Sequence, residues 1–326
     1  METHYIMDTT QFSAGILDWY AIHKRDLPWR EVGLDPYKVV VAEIMLQQTQ
    51  VPRVIEKYKE FLGLFPTIYD LAQASRESVI LAWSGLGYNR RAIMLQQFAQ
   101  EVVKLYEGKI PQVPEALIKL SGIGPYAAGS IASFAFNRPE PAIDVNVRRI
   151  YMRYFHGRDE GLPMGREEEK KLYTLVKLSI PENKSCDLHN ALMDFGSLVC
   201  LRDAPRCSSC VLRKNCGFFP LYTVEKEKVL FVAEKKVEKG VMENGRHIPN
   251  RIFRGRIVEF VRKHAGEEVS LEELGCAVKK DYVDADEGWL VELCLKLEKE
   301  GMITFGRMGV KMEGKEDGRV VLGLGK

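Results

Sequence analysis

Four cysteines fall in one stretch, "CLRDAPRCSSCVLRKNC", at Cys200, Cys207, Cys210 and Cys216, separated by six, two and five residues. Four thiolates this close can share one tetrahedral centre, which would pin the loops between them whatever the rest of the chain does. A single zinc ion and an iron–sulfur cluster suit the spacing equally well, and the spacings common in ferredoxins differ from it. Arg202, Arg206, Arg213 and Lys214 decorate the same loops and would give the centre a cationic rim suited to a phosphate backbone. Of the remaining three cysteines, Cys276 and Cys294 lie in amphipathic stretches and read as small core residues, while Cys186 stands apart. Without a secretion signal, seven cysteines argue against a disulfide framework.

The polar start Met1–Thr10 and the lack of any long apolar run point to a cytoplasmic, nucleoid-associated protein that does not enter a membrane. A net charge of +2 excludes no partner, because nucleic-acid binding needs only a local basic face. At 326 residues the chain suits two or three domains. From a helix expected over Asp8–Lys24, capped by Thr9 or Thr10, to about Cys216, helical periodicity alternates with short Gly/Pro breaks, and no alternating strand pattern is seen. Residues 217–250 are charged and read as a linker. Three further helical patterns and two β-rich segments then follow over 251–326, the order of a winged helix-turn-helix. Arg251, Arg254 and Arg256 in "NRIFRGR" would supply its phosphate contacts.

Three further stretches bear on the chemistry. In "LSGIGPYAA", Gly122 and Gly124 open a helix as a helix-hairpin-helix element does, allowing the backbone and the helix N-terminus to approach a phosphate. A tight helix–helix turn without a ligand would look similar. Glu43, in "VVVAEIMLQQT", sits among apolar neighbours that would raise its pKa, as a general acid/base requires. The lone Asp144 in "IDVNVRRI" reads equally as a helix cap.

"LPWR", "DPYKVVVAEIMLQQTQV", "GLGYNRRA", the hairpin, "IDVNVRRI", "NALMDFGSLVC" and the cysteine spacing together resemble the endonuclease III superfamily of DNA glycosylases, and within it the adenine DNA glycosylase family. The resemblance covers roughly Ile16 to Cys216. It implies a mainly α, two-lobed helix-hairpin-helix glycosylase fold followed by the small α+β winged-helix-like domain. The expected division is a six-helix lobe over about 30–136 and a second lobe from about 1–29 and 137–216. The implied cofactor is a [4Fe-4S] cluster on the four clustered cysteines. The implied partner is double-stranded DNA containing a mismatch, bound by a monomer.

The resemblance also assigns roles. Asp144, positioned by Asn146, would face the oxocarbenium-like charge that builds on the sugar as the N-glycosidic bond breaks. Glu43 would protonate adenine at N7 and then activate water. Tyr126 stands where strand-cleaving relatives carry a lysine; a phenol forms no Schiff base, which predicts a monofunctional enzyme that leaves an abasic site. Arg30, Leu46 and Val51 match residues lining the base pocket, Trp29 precedes them, and Asn190 stands at a further pocket position. Gln48 and Tyr88 match wedge residues that enter the stack when a base is extruded, with Gln47 and Thr49 beside them at the DNA.

Two departures stand out. Asn190 replaces a glutamate that contacts the amine edge of adenine, and "DVN" replaces "DGN". Typical members also carry a Nudix-like domain with a Phe-Ser-His loop that recognises 8-oxoguanine; that triplet is not found here, and residues 251–326 pattern differently. The expected activity is excision of adenine opposite 8-oxoguanine or guanine. A thymine/uracil mismatch glycosylase and a non-catalytic DNA-binding protein are the rival readings.

Overall fold

A computed structural model describes residues 2–31, 33–159, 164–224, 238–264, 267–307, 311–312, 315–316 and 319–325. The chain begins with α1 (Glu2–His23), α2 (Pro36–Leu46), α3 (Val51–Leu64), α4 (Ile68–Gln73), α5 (Arg76–Ala82) and α6 (Arg90–Tyr106). Helices α7 (Pro114–Leu117), α8 (Pro125–Phe136), α9 (Val145–His156), α10 (Arg166–Leu178), α11 (Ser185–Leu198) and α12 (Phe218–Val224) follow. A hairpin, β1 (Gly240–Glu243) and β2 (Arg246–Pro249), then leads into α13 (Asn250–Lys263), β3 (Glu268–Ser270), α14 (Leu271–Val278), α15 (Glu287–Lys299), β4 (Ile303–Arg307), β5 (Lys311–Met312), β6 (Lys315–Glu316) and β7 (Arg319–Leu324). The fold is mainly helical, with its strands gathered in the C-terminal region.

The helices pack as two compact units. The first holds residues 1–43 and 110–234. Its core is built on α11, whose Leu188, Ala191, Leu192 and Phe195 meet Phe12, Ile16 and Trp19 of α1 and Val147, Ile150, Tyr151 and Tyr154 of α9. Apolar residues at these three- and four-residue steps make one face of each helix the natural thing to bury. α1 starts well before Asp8, so Thr9 is no cap; it lies inside the helix and is 2% exposed.

The second unit holds residues 44–109 and 235–326. α4, α5 and α6 pack together in it, and a further core runs from Ile80 and Ile93 into Phe253, Ile257, Val258 and Val261 of α13, Leu290, Cys294 and Leu297 of α15, and Leu322. The three-stranded antiparallel sheet has the order β3-β7-β4, with Val269 opposite Val320 and Phe305 opposite Leu322. The order α13, β3, α14, α15, β4, β7 is that of a winged helix.

The packing groups the elements in its own way. A lobe over 30–136 would join α7 and α8 to α3–α6, but α8 packs on α11 and goes with the first unit. Of the expected linker 217–250, residues 225–237 lie outside the described residues. The ends on either side are ordered: α12 packs on α9, and β1 pairs with β2 through Asn244 and Gly245, both at positive φ. The asparagine–glycine pair is the turn signal that the charged composition masked.

Candidate active site

The hairpin loop between α7 and α8 turns at Gly122, whose φ of +77° favours glycine. Gly124 is the N-cap of α8 with no side chain to cap it, and Pro125 follows at the first turn, so no capping side chain takes up the leading amides of α8. Tyr126 and Ser130 are four residues apart on α8 and therefore share a face.

Ser130 donates a short hydrogen bond to the Glu43 carboxylate. Ser130 is also hydrogen-bonded to the Tyr126 hydroxyl. Glu43 keeps part of its surface open, yet protein surrounds the carboxylate. Burial pushes its pKa up to about 7, and the nearby Asp144 adds to the rise, while the Ser130 hydrogen bond and the Arg30 charge oppose it. Burial likewise holds the Tyr126 phenol well above its ordinary range, aided by the charges of Glu43 and Asp144. Tyr126 is a neutral donor throughout the physiological range.

Asp144 is the helix cap its sequence allowed. It is the N-cap of α9, one oxygen accepting from the Val147 N–H at 2.8 Å, while the other accepts from the Asn146 side-chain amide at 2.7 Å. Burial raises its pKa, and these hydrogen bonds pull it back toward the carboxylate. Arg149 donates to Asn146 Oδ1 at 2.8 Å, to the Gly196 carbonyl at 2.8 Å and to the Cys200 carbonyl at 2.9 Å. A side chain at Gly196 would put a Cβ 2.7 Å from that of Asn146, so only glycine lets α11 come this close. Val145, the "DVN" departure, is 64% exposed.

Arg30 is locked by the buried Asp194, Nη1 donating at 2.8 Å and Nη2 at 2.9 Å. Arg25 adds its backbone N–H at 3.0 Å and Nε at 2.6 Å to the same carboxylate. Despite burial, these donors hold Asp194 below the usual carboxylate range. Asn190 is buried and donates to the Cys186 sulfur at 3.4 Å, and Cys186 feels the charges of Arg30 and Glu43. Trp29 is half-buried in the short helix Pro28–Arg30. Glu43, Tyr126, Asp144, Asn146, Arg30 and Asn190 thus belong to one unit; the charge of Asp144 raises Glu43, and both raise Tyr126.

Leu46, Gln47, Gln48, Thr49, Val51 and Tyr88 belong to the other unit. There Arg91 ties two turns together. It donates to the carbonyls of Ile44 and Met45, both at 2.9 Å, to that of Gln47 at 2.5 Å, and to those of Leu86 and Gly87 at 3.1 Å, with Thr49 Oγ1 at 3.0 Å. Gln48 and Tyr88 at the tips of these turns are exposed and hold positive φ of 57° and 46°. Side chains in that strained region commonly mark functional positions. Leu46 and Val51 are half-buried at the helix ends flanking the first turn.

The four clustered cysteines are half-buried. Burial pushes Cys210 up to about 12, with the charges of Cys200, Cys216 and Cys207 contributing. Arg153, 1% exposed, braces the loop by donating to Cys200 Sγ at 3.5 Å, to the Leu201 carbonyl at 2.6 Å and to the Arg202 carbonyl at 2.7 Å. Among the described residues no three His, Cys, Asp or Glu side chains are gathered as a single-ion site.

Several positioning residues escaped sequence reading: Ser130, Arg91, Arg149, Arg153, Asp194 and His189. His189 is wholly buried and its pKa is lowered to about 4, so the ring is neutral. It accepts the Ala142 N–H at 3.0 Å and so braces the segment leading to Asp144. The expected phosphate-contacting arginines are occupied instead. Arg254 pairs with Glu300 at 2.6 Å, Arg256 with Glu243 at 2.6 Å, and Arg251 with Glu238 at 2.7 Å.

A family model described as "HhH-GPD superfamily base excision DNA repair protein" matches residues 41–177, which include the hairpin, Glu43 and Asp144. The adenine DNA glycosylase of Buchnera aphidicola subsp. Acyrthosiphon pisum (strain APS) is 33% identical over 304 residues, covering 90% of this chain and 81% of that one. The chain belongs to the adenine DNA glycosylase family. Its likeness to the adenine DNA glycosylase of Arabidopsis thaliana is 38% over 239 residues, 66% of this chain but only 38% of the plant protein's length. A thermostable thymine-DNA glycosylase structure superposes with a TM-score of 0.61 at 28% identity, covering 66% of this chain and 98% of that one. The family's helix-hairpin-helix architecture is the fold seen here. Among the described residues no helix is long and apolar enough to cross a membrane.

Proposed function

We propose that the chain is a monofunctional adenine DNA glycosylase that hydrolyses the N-glycosidic bond of adenine opposite 8-oxoguanine or guanine in duplex DNA. The pairing of Glu43 and Asp144, two carboxyls in one site whose environments differ, carries this reading. With a pKa of about 7, Glu43 holds a proton for an appreciable fraction of the time at neutral pH. It gives that proton to the extruded adenine, the glycosidic electron pair departs with the base, and the sugar becomes cationic. Asp144, held as carboxylate by Val147 and Asn146, stabilises that cation from a fixed position. Glu43, now a carboxylate, takes a proton from the water that attacks the sugar, which regenerates the acid and leaves an abasic site. Tyr126 contributes a neutral hydroxyl and no amine, so no covalent enzyme–sugar bond forms. Arg30 and Asn190 line the base side, Gln48 and Tyr88 fill the gap in the duplex, and the leading amides of α8 hold the backbone.

Cys200, Cys207, Cys210 and Cys216 suit a [4Fe-4S] cluster. Zinc would draw four sulfurs onto one ion at about 2.3 Å each, whereas a cluster keeps its ligands apart on four irons. These thiols are near enough to sense one another's charge, as ligands of one shared centre must be. When bound, the cluster cross-links the loop beside the Arg149–Asn146–Asp144 chain; Arg153 pre-shapes that loop by donating to Cys200.

Asn190 gives one rival a specific footing, since its amide can pair with a keto base as well as with an amine, and the thymine-DNA glycosylase shares the fold. Single-turnover excision from A:8-oxoguanine, A:G, T:G and U:G duplexes separates the two. Release from both adenine substrates and about 100-fold slower release from T:G and U:G is expected; faster release of thymine or uracil would make this a G-mismatch enzyme.

A further inference from the structure

Among the described residues, the third helix of the C-terminal winged module carries no basic face. Arg251, Arg254 and Arg256 are paired with carboxylates, and the exposed charges of and just before its third helix, α15, are mixed: Asp284, Glu287, Glu292, Lys296 and Lys299. A groove-entering helix needs a net positive face against the phosphates. The module instead turns α13 toward the segment that carries Tyr88. Arg262, whose side chain is 7% exposed, donates to the Ile80 carbonyl at 2.8 Å and to Asn89 Oδ1 at 3.1 Å. A cation at the end of α5 also complements that helix's dipole. Asn89 is buried and stands at the N-cap of α6, yet its side chain makes no cap hydrogen bond; its oxygen serves Arg262. Ile80 and Ile93, which flank the turn, are part of the same core as Phe253, Ile257 and Val261. Ser84 donates to Glu259 at 3.4 Å, and Arg251 donates to the Tyr88 hydroxyl at 3.3 Å. On its own side the turn is held by Arg91 and by Trp83, which donates to the Gly87 carbonyl at 3.2 Å.

We propose that the winged module acts on the reaction through the protein rather than through the DNA, with Arg262 and Arg251 as positioning residues that clamp the turn carrying Tyr88. An exposed tyrosine at positive φ would otherwise pay the ordering entropy when it enters the duplex; a turn fixed from both sides has already met it. The proposal rests on Tyr88 being a residue that enters the stack. The role of the module is then to preset the wedge, which gives a family member of this build a way to stabilise the extruded base that needs no contact between the module and the partner base.

The test follows base extrusion, not only rate. The full chain carrying Glu43→Gln is mixed with a duplex holding 2-aminopurine at the mismatched position, whose fluorescence rises as the base leaves the stack. Tyr88→Ala is expected to abolish most of the rise, and Arg262→Gln and Arg251→Gln each to weaken the extrusion equilibrium by about tenfold. Adding Arg251→Gln to Tyr88→Ala should change nothing further, because the two act as one unit. Arg262→Lys should recover part of the loss. If Tyr88→Ala suppresses extrusion while both arginine variants extrude normally, the clamp is wrong and the module only supports the fold. If Tyr88→Ala extrudes normally, the reading of Tyr88 itself fails and the clamp with it. Should Arg262→Gln not fold, Arg251→Gln alone decides, since that arginine is exposed.

Discussion

Replacing Asp144 with asparagine slows single-turnover adenine release by on the order of 10²–10³-fold, while mismatch binding survives. The size follows from what the residue does. The substitution keeps the shape and can keep the cap on α9, since the asparagine oxygen can still accept from Val147. It removes only the negative charge that the cationic sugar meets. Glu43→Gln is expected to lose on the order of 10²–10⁴-fold, because the amide neither donates the proton the base needs nor takes one from water. Rapid-quench assays of excision alongside equilibrium binding to the same duplex check both. A fall in affinity that matched the fall in rate would show two binding residues and no acid.

Asp194→Asn should destabilise the protein by about 3–5 kcal/mol. The Asp194 carboxylate is wholly buried and takes four donors, two from Arg30 and two from Arg25. Removing its charge leaves Arg30, whose side chain is 10% exposed, with an uncompensated cation in the interior. The pH dependence has a definite sign. Because the folded protein holds Asp194 below its ordinary range, the pair's contribution is complete above the usual Asp pKa and is lost as pH falls through the lower folded value. Urea unfolding at neutral pH measures the loss. The base side of the site should fail too, since Arg30 is aimed by this carboxylate, and a loss below about 1 kcal/mol would show the pair to be incidental.

What the sequence made legible was the chemistry that a motif carries in consecutive residues. The glycine turn at Gly122, the helix cap at Asp144 and the apolar setting of Glu43 are local, and each stands where its neighbours predict. Ser130 could have been found, being one turn from Tyr126 on the same helix face. Asp194 and Arg149 could not: their partners lie 164 to 169 and 47 to 51 residues away for the long-range bonds that define them. No periodicity encodes such a distance. The C-terminal arginines misled for the opposite reason. A basic run looks like a phosphate site until Glu238, Glu243 and Glu300, from separate elements, fold onto it. The packing of Ile80 and Ile93 on α13 was hidden for a related cause, since neither shows anything in sequence of that distant helix.

The central claim is that a raised-pKa glutamic acid and a fixed carboxylate divide one hydrolysis between them, and the pH profile of single-turnover adenine release tests it most directly. Glu43 must carry its proton at the start, so the rate should fall as pH rises through about 7; Asp144 must be ionised, so it should fall again toward acid. The alkaline limb should vanish in Glu43→Gln, leaving a slow rate with no decline there. A wild-type rate that stays level or climbs from neutral to alkaline pH would contradict the assignment of Glu43 as the acid.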